Sequence, residues 1–232
     1  MASTIDICNL SLQRLGQRGN IASIDPPEDG NDAAESCAAF FNIAKNDFLE
    51  TFPWSFAVKR GTLSELTETP IGYRHAYKLP ADCLRVIQML YIPSEQAVAG
   101  QHGAQRLLDA AEWDVELVSG GPALLTDASP DAVRYISTEV DVNRFSPLAV
   151  DALSWLLASH LAGSLLKGAA GMQMAQSCMQ FYSATVDAAI KADLQRQSKR
   201  PHYITPFAED YQPSYRQVGL MAPDYYWCGE MR

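Results

Sequence analysis

The apolar residues of this 232-residue chain repeat with a helical period towards both ends and with a two-residue period in between. Near the N-terminus Ile5, Cys8 and Leu12 recur at helical spacing. Residues 113–117 instead alternate apolar and charged side chains, which is the pattern of a half-buried strand. This order predicts an α+β fold, in which the two helical segments pack together as a bundle and the strands form an inserted antiparallel β lobe.

Four helices are predicted, two before the strands and two long ones after them. They cover residues 4–15, 32–51, 147–167 and 172–197. Ser3 with Asp6 forms a capping-box pattern at the first helix, and Ser146-Pro147 places a capping side chain before a proline at the third. Gly16, Pro53 and Gly168 are expected to end helices. The fourth helix is expected to bury Phe181, Tyr182, Val186, Ala189, Ile190 and Leu194.

Between the helical segments, runs rich in branched and aromatic residues predict strands. The predicted strands cover residues 83–92, 113–117, 123–126 and 132–140. Gly120-Gly121 separates two of them as a turn. Residues 94–112 are rich in Ala, Gln and Gly, and their apolar residues follow neither period clearly. A short helix at 105–112 is one interpretation of this segment. The resulting division is a discontinuous bundle of residues 1–57 and 146–197, with an inserted lobe of residues 58–145.

The last 35 residues, 198–232, have a different composition from the rest of the chain. They hold four of the 13 prolines and five of the ten tyrosines, but few branched aliphatic residues. The prolines exclude a long helix, and such a segment cannot build a core of its own. Aromatic side chains are costly to leave in water and often anchor interfaces. We therefore expect an extended partner-binding tail, whose binding residues are Tyr203, Phe207, Tyr211, Tyr215, Tyr225, Tyr226 and Trp227.

Charge and hydropathy restrict the classes of partner. Eighteen Lys and Arg against 27 Asp and Glu give a net charge of −9, which disfavours tight DNA binding over a broad surface. The densest basic group, Arg196, Lys199 and Arg200, suits the C-terminal end of a helix dipole. The apolar run 148–166 carries Asp151 and His160, so a buried helix is expected there rather than a membrane span. The N-terminus lacks the pattern of a secretory signal.

The sequence contains no motif that predicts catalytic, metal or cofactor chemistry. His75, His102, His160 and His202 have no metal-ligand spacing, and the glycine-rich turns lack the Lys-Ser/Thr of a phosphate loop. The five cysteines, Cys8, Cys37, Cys83, Cys178 and Cys228, have no CxxC spacing and are expected to be unpaired thiols. Paired carboxylates among Asp109, Glu112, Asp114 and Glu116 could cleave a glycosidic bond, but their alternation also suits a solvated strand face.

Several short sequence blocks nevertheless follow one another along the chain in a specific order and spacing. They are Ile7-Cys8-Asn9-Leu10 with Leu15-Gly16, Asp47-Phe48-Leu49, Phe52-Pro53-Trp54-Ser55-Phe56-Ala57, Tyr77 to Val86, Tyr135-Ile136, Phe145-Ser146-Pro147 and Ala158 to Ala162. In order and spacing they resemble the tail tubular protein A family, the head-to-tail adaptors of short-tailed bacteriophages. The resemblance covers residues 4–195. The chain departs from it at Asn46, where many members carry a basic residue, and the family pattern is faint over 93–112 and beyond 198.

The resemblance implies a structural virion protein rather than an enzyme, without a cofactor. Members form a ring, of twelve copies, between the portal protein and the tail nozzle protein, with the helical part towards the portal and the lobe towards the nozzle. The ring extends the DNA channel and helps retain the genome, which passes without specific binding, and no membrane is involved. Structural junction roles fall on Pro53, Trp54, Phe56, Leu79 and Pro80, with Leu79-Pro80 expected to start a strand.

Two other classes of function remain as alternatives. A tail-associated hydrolase would need convergent carboxylates in a cleft, and would lose turnover when one of them is replaced. A monomeric tail-assembly binding module would show a single-copy mass with or without portal protein.

Overall fold

Four helices and two antiparallel sheets make up the part of the chain that the computed structural model describes, namely residues 2–28, 30–91, 111–118, 120–166 and 168–196. The α+β class is therefore as predicted. The helices are α1 Thr4–Arg14, α2 Asp32–Thr51, α3 Pro147–Leu165 and α4 Ala169–Arg196. Residues 1–197 form one compact unit. The division into a bundle (1–57 and 146–197) and a lobe (58–145) stays a prediction within that unit.

Local capping signals begin the helices where the sequence indicates. The Ser3 hydroxyl accepts a hydrogen bond from the Asp6 amide at 3.2 Å, and the Asp6 carboxylate accepts one from the Ser3 amide at 2.8 Å. Ser146 caps α3 by accepting from the Ala149 amide at 3.2 Å, with Pro147 as the first helical residue. Gly16 follows α1 with a φ of 72°, in the left-handed region that favours glycine.

The central helix of the bundle is α3, which contacts α1, α2 and α4. Its length and composition alone would allow it to cross a membrane, and half of its most apolar stretch is buried inside the protein. Arg14 of α1 reaches it, with the guanidinium contacting the Asp151 carboxylate, donating to the Asp151 carbonyl at 2.8 Å and lying 4.0 Å from the Trp155 ring centre. The two polar residues of α3 noted in the sequence thus face partners: Asp151 meets Arg14, and His160 stacks near Phe40.

The buried face of α4 differs from the predicted one. Val186 and Ala189 are buried as predicted, and Tyr182 and Ile190 are partly buried. Phe181 and Leu194, however, are 53% and 44% exposed, and Asp193 is buried instead. Since α4 flanks the bundle and packs mainly on α3, it buries only a narrow stripe. Phe181 lies at the rim of this contact, stacked on Trp155 with ring centres 4.7 Å apart.

The described residues contain seven strands, which form two sheets. They are β1 Val58–Thr62, β2 Ser64–Glu65, β3 His75–Lys78, β4 Cys83–Leu90, β5 Trp113–Val118, β6 Gly121–Thr126 and β7 Ala132–Ser137. One sheet has the order β1-β7-β4 and the other β2-β3-β6-β5, with every pair antiparallel. The last four strands were predicted from the sequence, whereas the first three were not. The optional helix at 105–112 falls almost entirely outside the described residues.

Leu79 and Pro80 do not start a strand, contrary to the expectation. They follow the end of β3, and the amide of Cys83 donates to the Pro80 carbonyl at 3.0 Å, which closes a turn before β4. The two residues therefore connect strands of different sheets, because β3 and β4 belong to separate sheets.

The sheet β1-β7-β4 lies between the helices and the other sheet. Ile136 of β7 belongs to the core of the helical bundle, whereas its neighbours Val133 and Tyr135 belong to a second core with Leu124 of β6 and Met89 of β4. Alternate residues of one strand thus face opposite layers. Each core depends on the other through this shared sheet.

β5 is an exposed edge strand rather than a half-buried one. Trp113, Val115 and Leu117 are 37%, 43% and 82% exposed, although they lie on the same face as the buried Leu124. Among the described strands β5 pairs only with β6, and Leu124 of β6 is where the buried residues of the second core end. The alternation in the sequence correctly indicates the strand, but not its burial.

Candidate functional site

A cluster of stacked aromatic rings joins the end of α2 to the lobe. Trp54 is fully buried, stacks on Phe48 with ring centres 4.6 Å apart, and donates from its indole nitrogen to the Phe48 carbonyl at 3.0 Å. Phe56 continues the stack at 5.7 Å and packs on Phe145 at 4.6 Å, immediately before α3. Trp54 and Phe56 therefore both lie between α2 and β1, where Phe56 contacts the residue that precedes α3, and Pro53 is partly buried beside them.

A hydrogen-bonded carboxylate holds the lobe side of this junction together. The Asp82 carboxylate accepts from Tyr135 at 2.9 Å, from Ser137 at 2.7 Å and from the Lys59 ammonium at 2.7 Å. Burial alone would raise its pKa, but these bonds and the charge of Lys59 outweigh burial and lower the pKa to about 2. Burial and the bond to Asp82 raise the pKa of Tyr135 to about 12. Ser137 is fully buried, and the Asp82 side chain is 15% exposed, so this carboxylate connects β1, β7 and the turn before β4 mostly inside the protein.

A second buried carboxylate ties the last turn of α4 to the same region. Asp193 is 3% exposed and accepts hydrogen bonds from the backbone amide of Ser55 at 2.9 Å and from its hydroxyl at 2.5 Å. Sequence reasoning placed the apolar Leu194 on the buried face and missed Asp193. A signal was present, because a carboxylate at a position in register with Val186 and Ala189 indicates a buried polar contact.

The residues predicted to bind a partner are not in the described part of the chain. Tyr203, Phe207, Tyr211, Tyr215, Tyr225, Tyr226 and Trp227 all lie beyond residue 196. Of the basic group at the end of the fourth helix, Arg196 is the last residue of α4, and Lys199 and Arg200 also lie outside the described residues. The partner-binding tail therefore stays a prediction.

A cleft of about 210 Å³ opens between the edges of the two sheets. It is lined by Leu79, Cys83, Leu84, Arg85, Val86, Trp113, Val115 and Pro122. The lining is mostly apolar, with Arg85 as its charged side chain. The cleft therefore places β5 beside β4, on the side of the lobe away from β1, because β4 and β1 are the two edges of their sheet.

Two of the carboxylates considered for hydrolysis, Asp114 and Glu116, point away from this cleft. Glu112, Asp114 and Glu116 are exposed, and the latter two alternate along β5 with the cleft residues Trp113 and Val115. Alternate strand residues face opposite sides of a sheet, so the carboxylates of β5 do not converge on the apolar cleft. Asp109 lies outside the described residues. Asp114 and Glu116 thus do not share this cleft, as a pair of glycosidase carboxylates would.

Two arginines face each other across β1 and β7. Arg60 is paired in register with Arg134, with Arg60 exposed and Arg134 partly buried. Like charges directly opposite on a sheet destabilise it unless an anion is near. Within the described residues neither arginine forms an ion pair, so this surface presents two uncompensated cations.

Histidines and cysteines do not form a metal site in the part of the chain that is described, which holds no group of three or more potential ligands. His75 contacts Glu65 at 2.6 Å, His160 lies 3.8 Å from Asp47, and the other two histidines are outside the described residues. Cys8, Cys37, Cys83 and Cys178 are unpaired thiols, and all but Cys83 are buried.

Comparison with known proteins adds no assignment. No protein-family model matches the sequence, and no curated protein is significantly similar to it.

Proposed function

We propose that this chain is a structural adaptor of a short-tailed bacteriophage, one copy of a ring that connects the portal protein to the tail nozzle protein. The ring has twelve copies, extends the DNA channel and helps to retain the packaged genome. The protein is a component of the virion tail below the portal and not an enzyme. Its copies contact each other, the portal and the nozzle, and DNA passes through without specific binding.

The observation that carries this proposal is that four of the sequence blocks of the resemblance contact one another. Phe56 of the block at 52–57 packs on Phe145 of the block at 145–147. Asp82 of the block at 77–86 accepts a hydrogen bond from Tyr135 of the block at 135–136. The amide of Ser137 also donates to the Ala57 carbonyl at 3.0 Å. Four of the blocks, at residues 52–57, 77–86, 135–136 and 145–147, thus meet at one junction between helices and strands, as residues that maintain a shared architecture would.

The placement of polar groups supports a structural role over an enzymatic one. The most perturbed carboxylate, Asp82, is fully engaged by Lys59, Tyr135 and Ser137. The apolar cleft beside β5 contains no carboxylate, and the carboxylates of β5 face the other side. Separate helical and β layers in one chain suit a protein that joins two different partners.

The experiment removes residues 203–232 and measures attachment to portal-containing heads. The aromatic residues of this segment are proposed to dock on the portal or on a neighbouring adaptor, so the truncated protein should keep its helical circular dichroism and solubility but lose attachment. Normal attachment of the truncated protein, or unfolding of its helices, would show that the tail has another role.

A matched pair of full-length variants separates the aromatic anchors from the length of the segment. Replacing Tyr225, Tyr226 and Trp227 by Ser should weaken attachment. Replacing Glu209 and Asp210 by Ala, which leaves all aromatic residues in place, should have little effect. Equal behaviour of the two variants would argue against aromatic docking.

A further inference from the structure

The β lobe carries two surfaces of opposite charge whose charges are not matched within the described chain. The first is the pair Arg60 and Arg134, opposite each other on β1 and β7. Repulsion between directly opposed like charges makes this arrangement unfavourable in an isolated lobe. An anionic surface from outside the chain would remove that repulsion.

The second surface is the outward face of β5. Asp114 and Glu116 are exposed there and form no ion pair with described residues, and the hydrogen bond seen for Asp114 is a long one of 3.4 Å from the Tyr73 hydroxyl. Among the described strands β5 pairs only with β6, and Leu117 on its other face is 82% exposed. The strand thus combines exposed acidic and apolar side chains, which is typical of an interaction surface.

The two surfaces lie on opposite sides of the lobe. Arg134 alternates on β7 with Val133 and Tyr135, which face the second core, so the paired arginines lie on the other face of the sheet β1-β7-β4. Asp114 and Glu116 alternate on β5 with Val115, which shares a face with Leu124 of the second core, so the carboxylates lie on the outer face of the other sheet. One copy therefore cannot bring its own Asp114 and Glu116 to its own arginines. A second copy can, if the acidic side of one lobe meets the basic side of the next.

We propose that copies of this chain associate head to tail, with Asp114 and Glu116 of one copy against Arg60 and Arg134 of the next. The proposal rests on the ring function proposed above and names the contact that builds the ring. Such heterologous contacts use two different patches and close into a ring when the rotation between copies allows it. A net charge of −9 opposes general self-association, but salt at physiological strength screens charges beyond about 8 Å while the contacting groups still attract.

Charge reversal tests the contact. One variant, R60E/R134E, makes both surfaces acidic, and the other, D114R/E116R, makes both basic. Sedimentation velocity should show association of the wild-type chain as the protein concentration rises above the micromolar range, where the isolated chain is still mostly monomeric, and only monomer for either variant alone. An equimolar mixture of the two variants should regain association, because each acidic surface can then meet a basic one on the other variant.

Two controls and a single variant keep the result interpretable. R18E/K191E and E50R/D187R change the net charge by the same amounts at exposed positions of the helical part, and should associate as the wild type does. R60E alone alters an exposed side chain and should already weaken association, even if Arg134 cannot be replaced without loss of folding.

The outcomes separate this contact from its alternatives. Association that is unaffected by either reversal, or that the mixture does not restore, overturns the contact while leaving the ring function to the head-attachment experiment. A wild-type chain that remains monomeric at the highest concentration also overturns it. Loss of binding to a DNA oligonucleotide in R60E/R134E, without any effect on association, would instead assign the arginines to phosphate groups.

Discussion

At the scale of single residues, the junction depends on a glycine that leaves room for two rings. A Cβ added to Gly61 of β1 would lie 3.0 Å from the Pro80 ring and 3.2 Å from the Tyr135 ring. Both neighbours are held, since Tyr135 donates to Asp82 and Pro80 lies in the turn before β4. The absence of a side chain at this position therefore lets β1 pass close to the lobe core.

We expect Gly61→Ala to lower the free energy of unfolding by about 1–3 kcal/mol, because the new methyl group overpacks this contact. Urea unfolding followed by circular dichroism measures the change. Gly163→Ala is the matched control: nothing lies within 4 Å of its added Cβ, so in α3 it should stabilise by up to about 1 kcal/mol. Equal effects at the two positions would contradict the packing explanation.

A second prediction at this scale concerns Asp82 and pH. The pKa of its carboxyl falls from 3.8 to about 2 on folding, so the folded state binds fewer protons and stability rises with pH across this window. Its contribution, about 2 kcal/mol, should be present above pH 4 and be lost as the pH falls towards 2.

Asp82→Asn should remove this contribution. Comparing urea midpoints of the wild type and the variant from pH 7 down to pH 2 isolates it, because other carboxyl groups titrate in both proteins. The difference in stability should be largest near neutral pH and shrink in acid. A difference that stays constant with pH would mean that Asp82 acts only through its shape and hydrogen bonds.

At the scale of elements, α1 is fastened to the central helix by one side chain. The Arg14 side chain is 10% exposed, contacts both the carboxylate and the carbonyl of Asp151, and stacks on Trp155. Trp155 in turn stacks on Phe181 of α4. The Arg14 guanidinium thus joins α1 to α3 through its N–H donors and its planar face, and the Trp155 ring extends this contact to α4.

We expect Arg14→Lys to destabilise the protein by about 1–2 kcal/mol, although the charge is kept, because an ammonium group cannot reproduce the fork or the stacking. Thermal unfolding and urea unfolding both report the loss. Arg18→Lys, at an exposed position, should leave stability within about 0.5 kcal/mol of the wild type. A similar small effect at Arg14 would indicate that packing of α1 does not require it.

At the scale of the whole molecule, the charge of −9 opposes contact between identical copies. Without portal protein, we expect the purified chain to be mostly monomeric at micromolar concentration and to assemble when a partner holds copies together. Native mass spectrometry gives the distribution of copies directly. Stable twelve-copy rings of the isolated protein at that concentration would contradict this expectation.

Local rules were sufficient to predict much of the architecture. The helix boundaries follow from side chains within a few residues, such as Ser3 with Asp6 or Ser146 with Pro147. Hydrophobic period then identified β4 to β7 and the order of helices and strands. Capping and period act between neighbours in the chain, so they can be read without knowing the tertiary fold.

Tertiary structure decided which faces are covered and which residues meet. The pattern of Trp113, Val115 and Leu117 indicates a strand, yet only the position of β5 at the edge of its sheet leaves that strand exposed. Asp193 is buried because the hydroxyl and amide of Ser55, 138 residues away, satisfy its carboxylate. Burial and pairing of this kind depend on contacts between distant segments, and the period of a single segment carries no information about what the rest of the chain places against it.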